Sequence, residues 1–155
     1  MIQTLLISAL IENGQNLRIP NDYTWKFTLE CSNCRERSPK PVVFNGIDKD
    51  SPGDNDRVSV NFYMTCKGCR RQATIDVLRI NITEITGTSP ELVPFATFEC
   101  RNTSLVEFFP SDEFEITSTE SDTIFKEVDP SDEWADYDEK GQVSVSIEEF
   151  NYKLD

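Results

Sequence analysis

The chain reads as a mainly β protein, an antiparallel β-sandwich or barrel-like domain. Apolar residues recur with period two over several short runs, no long stretch repeats them at helical spacing, and paired cysteines sit where two alternating runs end. At 155 residues with ten phenylalanines and two tryptophans, the chain is long enough to bury its own core, and residues 1–155 read as a single unit.

The elements follow in order. Leu5 to Ile11 is an apolar run interrupted by Ser8; with no positive region before it, it predicts a strand, too short for a membrane span and poor as a secretory signal. Trp25, Phe27, Leu29 and Cys31 alternate with Thr24, Lys26, Thr28 and Glu30, the pattern of a half-buried strand. Gly46 to Asp56 is rich in Asp, Gly, Pro and Ser and predicts an exposed loop. Val58, Val60, Phe62 and Met64 alternate again. Further strands are expected near 73–85, 94–100, 105–109 and 142–154, with Cys100 facing inward beside Ala96 and Phe98 as a buried free thiol. In the last strand Val143, Val145 and Ile147 share one face and Phe150, Tyr152 and Leu154 the opposite parity, which predicts a bulge near Glu148 and Glu149. Between them, Trp134 and Tyr137 stand three apart within the acidic run 132–139. A short turn pinning both rings to the core with the carboxylates in water is one reading; an acidic docking surface is the other.

The cysteines carry the chemistry. Cys31-Ser32-Asn33-Cys34 and Cys66-Lys67-Gly68-Cys69 have identical spacing, and two residues between thiols let a tight turn aim both sulfurs at one point. Two such turns complete a tetrahedron of thiolates with no position left for water. This predicts one structural zinc in the N-terminal half, held by Cys31, Cys34, Cys66 and Cys69. Iron would accept the same ligands. A dithiol redox motif would sit where a strand feeds a helix, and a disulfide pair would suit a secreted chain; neither context is visible. The 31 residues between Cys34 and Cys66 exceed the roughly 15 to 20 of a zinc ribbon, so the insert must form structure of its own.

Charge narrows the function. Residues 100–155 hold 16 Asp and Glu against 4 Lys and Arg, whereas residues 1–99 hold 12 against 11. The acidity belongs to the C-terminal third and opposes binding to a polyanion, so nucleic acid is a minor option. Six cations crowd the cysteine pairs: Arg35, Arg37, Lys40, Lys67, Arg70 and Arg71. They are expected to offset the formal charge of about −2 on a tetrathiolate zinc. The chain has no histidine, which removes histidine-based nucleophile systems and general bases and argues against an enzyme.

An internal echo links Thr28 to Cys34 with Thr97 to Thr103 at an offset of 69, and Val58-Ser59-Val60 with Val143-Ser144-Val145 at 85. It suggests two pseudo-symmetric β-units, about 1–72 and 73–155, of which only the first has metal ligands.

Taken together, Asn16-Leu17, Trp25, the two cysteine pairs, Phe98-Glu99-Cys100-Arg101, Trp134 to Lys140 and Ser144 to Glu148 resemble the eukaryotic CXXC motif-containing zinc-binding proteins over nearly the whole length. The resemblance implies one zinc on four cysteines in a mainly β protein without assigned catalysis. The expected function is that of a non-enzymatic scaffold or protein-interaction module, monomeric, in the cytosol or nucleus, with another protein as partner and no membrane. A thiol-based metal carrier or dithiol redox protein is the alternative.

Overall fold

The computed structural model describes all residues except 54–57, 83 and 86–90. Twelve strands follow one another: β1 Ile2–Glu12, β2 Gly14–Arg18, β3 Trp25–Cys31, β4 Val42–Phe44, β5 Phe62–Thr65, β6 Gln72–Ile80, β7 Val93–Arg101, β8 Thr103–Phe108, β9 Phe114–Ser118, β10 Ile124–Val128, β11 Trp134–Asp138 and β12 Val143–Leu154. Every paired neighbour is antiparallel, and there is no helix among the described residues.

Six strands form one sheet in the order β11-β12-β1-β7-β6-β5, and two smaller sheets run β10-β9-β2 and β4-β3-β8. Aromatic side chains join the layers. Trp25 and Phe27 on β3 meet Phe98 on β7 edge-on, with ring centres 4.9 and 5.2 Å apart. Phe114 on β9 meets Phe150 on β12 at 6.0 Å and stacks on Phe95 of β7 at the same distance. One continuous apolar cluster results, with Trp25, Phe27, Phe95, Phe98 and Phe114 fully buried. Each such ring removes roughly 150–250 Å² from water, so these residues dominate the core.

The strand orders are unchanged when β1 to β6 are exchanged with β7 to β12. In both units the first strand leaves the large sheet at a sharp corner and enters a small one as the second. Asn13 (φ 58°) and Asn102 (φ 61°) occupy those corners, 89 residues apart. Asparagine tolerates this left-handed conformation better than most side chains. The aromatic contacts repeat as well: Phe44 of β4 meets Phe62 of β5 at 5.5 Å, and Phe125 of β10 meets Trp134 of β11 at 5.4 Å. This equivalence pairs β3 with β9, not with β7 as the offset of 69 does. Its break falls between Ile80 and Val93, which places β6 in the first unit.

Several expectations from the sequence hold. Cys100, Ala96 and Phe98 are all buried, and burial pushes the Cys100 thiol up to about 12. The bulge on β12 is present: Ser8 pairs with Asn151 but Leu10 with Glu148, and Glu149 takes φ 52°. Others are corrected. Val58 is exposed and Val60 forms only an isolated bridge to Asp50, so the strand there begins at Phe62. The strand expected over 73–85 ends at Ile80; Thr83 lies outside the described residues, and Ile85 bridges Leu17 instead. Part of the expected loop, residues 54–56, also lies outside them.

Residues 132–139 do not form a pinned turn. Trp134 to Asp138 pair with β12 as an edge strand, so alternate residues face opposite sides and the rings three apart cannot share one. Trp134 is half-buried against Phe125, Tyr137 is 52% exposed, and the carboxylate of Asp138 is fully buried.

Candidate metal centre

The two cysteine pairs lie on hairpin-like connections, the first between β3 and β4 and the second between β5 and β6. Each is folded by the same hydrogen bonds. The N–H of Cys31 donates to Glu36 O at 2.9 Å and that of Cys66 to Arg71 O at 2.8 Å. In the return direction Arg35 N–H donates to Cys31 O at 3.0 Å and Arg70 N–H to Cys66 O at 2.8 Å. Arg35 (φ 66°) and Arg70 (φ 65°), each just after the second cysteine, take the left-handed conformation that closes the turn.

Those turns bring all four sulfurs within 4.8 Å of one another. Cys31 Sγ lies 3.6 Å from Cys69 Sγ, and Cys34 Sγ 3.5 Å from Cys66 Sγ. Zinc–sulfur bonds of about 2.3 Å in a tetrahedron put ligands roughly 3.8 Å apart, whereas a disulfide needs about 2.05 Å. The spacing fits one zinc ion, and the five cysteines are free thiols. When bound, zinc supplies a cross-link between the two turns. Gly68 shows how closely they approach: a side chain there would meet the Glu36 carboxylate and lie 3.3 Å from Cys34 Sγ.

The protein prepares the sulfurs for charge. The backbone N–H of Arg71 and the side-chain amide of Asn33 favour the Cys69 thiolate and bring this thiol down to about 6. The N–H groups of Cys34 and Asn33 lower Cys31. At Cys34 the Glu36 N–H favours the thiolate, but the neighbouring sulfurs, Cys66 foremost with Cys31 and Cys69, together with partial desolvation outweigh it and push the thiol up to about 12. Four thiols this close cannot all ionise without a cation among them.

Of the six cations expected to screen the centre, Arg35 and Arg37 pair instead with the Glu30 carboxylate, each at 3.5 Å. Arg37 also reaches Glu107 at 4.0 Å. Lys67, Arg70 and Arg71 are exposed beside the second turn. Cys31 is buried, Cys66 and Cys69 are intermediate and Cys34 is exposed, so the centre sits at the surface. A cavity of about 300 Å³ opens next to it, with Leu29, Met64 and Ala73 among its apolar lining and Arg37 and Lys67 among its charged residues. This cavity is not legible in the amino-acid pattern, because its walls come from segments far apart in the chain.

The second polar centre was also missed. Asp138 accepts hydrogen bonds from Ser118 Oγ (2.5 Å), Ser121 Oγ (2.7 Å), Thr123 Oγ1 (3.0 Å) and Gly141 N–H (3.1 Å). The Ser118 hydroxyl foremost, then Ser121, Gly141 and Thr123, hold its carboxyl well below the usual range despite burial. In an acidic segment nothing in the sequence separates this aspartate from its solvated neighbours.

By class, an all-β chain whose hairpin turns converge four thiols at this spacing is a zinc-binding β protein. Residues 4–155 match the family model described as CXXC motif containing zinc binding protein, eukaryotic, and the chain belongs to that family. It is 36% identical to the UPF0587 protein CG4646 of Drosophila melanogaster, over 97% of this chain and 94% of that one. It is 32% identical to the human CXXC motif containing zinc binding protein, over 97% and 95%. Among solved structures it resembles the crystal structure of C1orf123, with a TM-score of 0.90, 30% identity and coverage of 100% and 99%. A hypothetical protein from Plasmodium falciparum has a TM-score of 0.89 at 25% identity, with the same coverage.

Proposed function

We propose that the chain is a non-enzymatic, monomeric protein-interaction module of the cytosol or nucleus. In this reading Cys31, Cys34, Cys66 and Cys69 hold one structural zinc, and the acidic C-terminal unit docks a basic partner protein. The observation that carries the docking reading is the outer edge of the large sheet. There Asp132, Glu133, Asp136 and Glu139 are exposed around Tyr137, itself 52% exposed. An exposed ring within like charge offers apolar contact to a partner that the carboxylates steer.

Strand addition is not the expected mode. Asp136 Oδ1 accepts the N–H of Tyr137 at 2.7 Å, which occupies a main-chain donor on this terminal strand. Recognition is therefore by side chains. The absence of histidine and the engagement of four thiols in one closed shell support a role without catalysis.

The test is capture of a partner from cell extract by the full chain, followed by titration of that partner at increasing salt. Asp136→Asn with Glu139→Gln is expected to weaken binding and flatten its salt dependence, while zinc content stays unchanged. Undiminished affinity in that variant contradicts the docking reading.

The exposure of Cys34 favours a second reading, a thiol-based metal carrier, because a surface sulfur can be reached by an acceptor. Zinc that transfers within minutes to a weak chelator supports the carrier. Zinc that leaves only on the timescale of unfolding supports the structural centre.

A further inference from the structure

The exchange of β1–β6 with β7–β12 places the β9–β10 turn where the first cysteine pair lies and the β11–β12 turn where the second lies. Those turns agree in detail. Cys31 N–H donates to the carbonyl five residues on, Glu36; Ser118 N–H donates at 2.9 Å to the carbonyl five residues on, Thr123. Cys31-x-x-Cys34 thus corresponds to Ser118-x-x-Ser121. In the opposing turn Cys66 N–H donates to the carbonyl five residues on, Arg71, and Asp138 pairs with Val143, five residues on, so Cys66-x-x-Cys69 corresponds to Asp138-x-x-Gly141; Gly68 and Gly141 both stand close to the facing turn. A side chain at Gly141 would collide with Asp138 and come within 2.7 Å of Glu120 Cβ, as one at Gly68 would collide with Glu36.

What differs is the group at the middle. The N-terminal unit points four sulfurs at a cation-sized space. The C-terminal unit points the Ser118, Ser121 and Thr123 hydroxyls and the Gly141 N–H at the Asp138 carboxylate. We propose that this carboxylate cluster is the symmetry counterpart of the metal centre with its polarity reversed, an anion held by donors, and that it clamps the C-terminal pair of hairpin turns without metal.

The chemistry is consistent with such an exchange. Cation-binding turns need ionised ligands around a positive centre; here the Cys31 and Cys34 positions hold the neutral hydroxyls of Ser118 and Ser121, the Cys66 position holds the Asp138 carboxylate that accepts from them, and the Cys69 position holds Gly141, whose N–H donates to it. Charge-assisted hydrogen bonds of this kind are short and about twice as strong as neutral ones. A full set of donors also offsets the desolvation of a buried carboxylate. The consequence is a molecule with one zinc-dependent pair of turns and one zinc-independent pair. The acidic docking edge belongs to the latter, though the inference stands whether or not that edge binds a partner.

Hydrogen exchange resolved by mass spectrometry on the full chain separates the two clamps. Chelation of the wild-type protein is expected to raise exchange at residues 30–38 and 65–73 at least tenfold, while 117–124 and 137–143 stay protected. Asp138→Asn, zinc-loaded, is expected to do the reverse, with zinc content still one per chain. Equal deprotection of both pairs on chelation overturns the proposal. So does an Asp138→Asn protein whose C-terminal turns remain as protected as the wild type. Should that variant fail to fold, Ser121→Ala, which deletes one exposed-side donor, takes its place with the same two outcomes.

Discussion

Cys66 and Asp138 lie at matching corners of the fold, and single substitutions at each have different expected signatures. Cys66→Ser removes one of four ligands whose sulfurs lie within 4.8 Å, so purified variant protein is expected to hold well under one zinc per chain by atomic absorption. Wild-type stoichiometry would remove Cys66 from the ligand set. Asp138 acts through pH. Its folded carboxyl is depressed by the Ser118 hydroxyl above all. Its contribution to stability is therefore complete above the unfolded carboxyl value of about 3.9 and is lost as pH falls toward the folded value. The difference in Tm between wild type and Asp138→Asn should be largest near neutral pH and shrink below about pH 4. A gap that stays constant over that range would show that the charge of Asp138 does not stabilise the fold.

The contrast between β3 and β11 shows which elements the amino-acid pattern reveals. On β3, Trp25, Phe27, Leu29 and Cys31 alternate into the core and the strand is found where the period predicts it. On β11 the pattern misleads, because Tyr137 is aromatic yet exposed and Asp138 is charged yet buried. A buried carboxylate is stable there only because hydroxyls from β9 and the turn after it converge on it, information that resides in tertiary contacts. The short strands β2, β4, β9 and β10 were illegible for a related reason: three to five residues give too few periods to recognise. The difference between the two strands is measurable by urea denaturation of zinc-loaded protein. Trp25→Ala should cost about 3–5 kcal/mol, as for other large core residues. Tyr137→Ala should stay within about 0.5 kcal/mol, the usual range at the surface. Comparable costs would mean that Tyr137 is anchored after all.

At the scale of the molecule, the β class, the paired turns and the four candidate ligands were readable because each rests on local spacing. Period two declares strands, and two residues between cysteines declare a turn that converges sulfurs. The exchange symmetry of the two units was only partly readable, since the matching segments share topology more than residue identity. Leu29 corresponds to Ile116 and Cys31 to Ser118, so the echo detected at an offset of 69 aligned the wrong strands. The cavity beside the centre and the Asp138 cluster depend on residues that meet only after folding. A metal clamp in the first unit and a carboxylate clamp in the second accord with four of the five cysteines lying in the first and with the burial of Asp138 alone among the acidic residues of the second.

Zinc-edge X-ray absorption of natively purified protein, calibrated by native mass spectrometry, tests the tetrathiolate centre directly. The predicted result is one zinc per chain with four sulfur neighbours at about 2.3 Å and no nitrogen or oxygen in the shell. A metal-free chain, or a shell with two or fewer sulfurs, would contradict it.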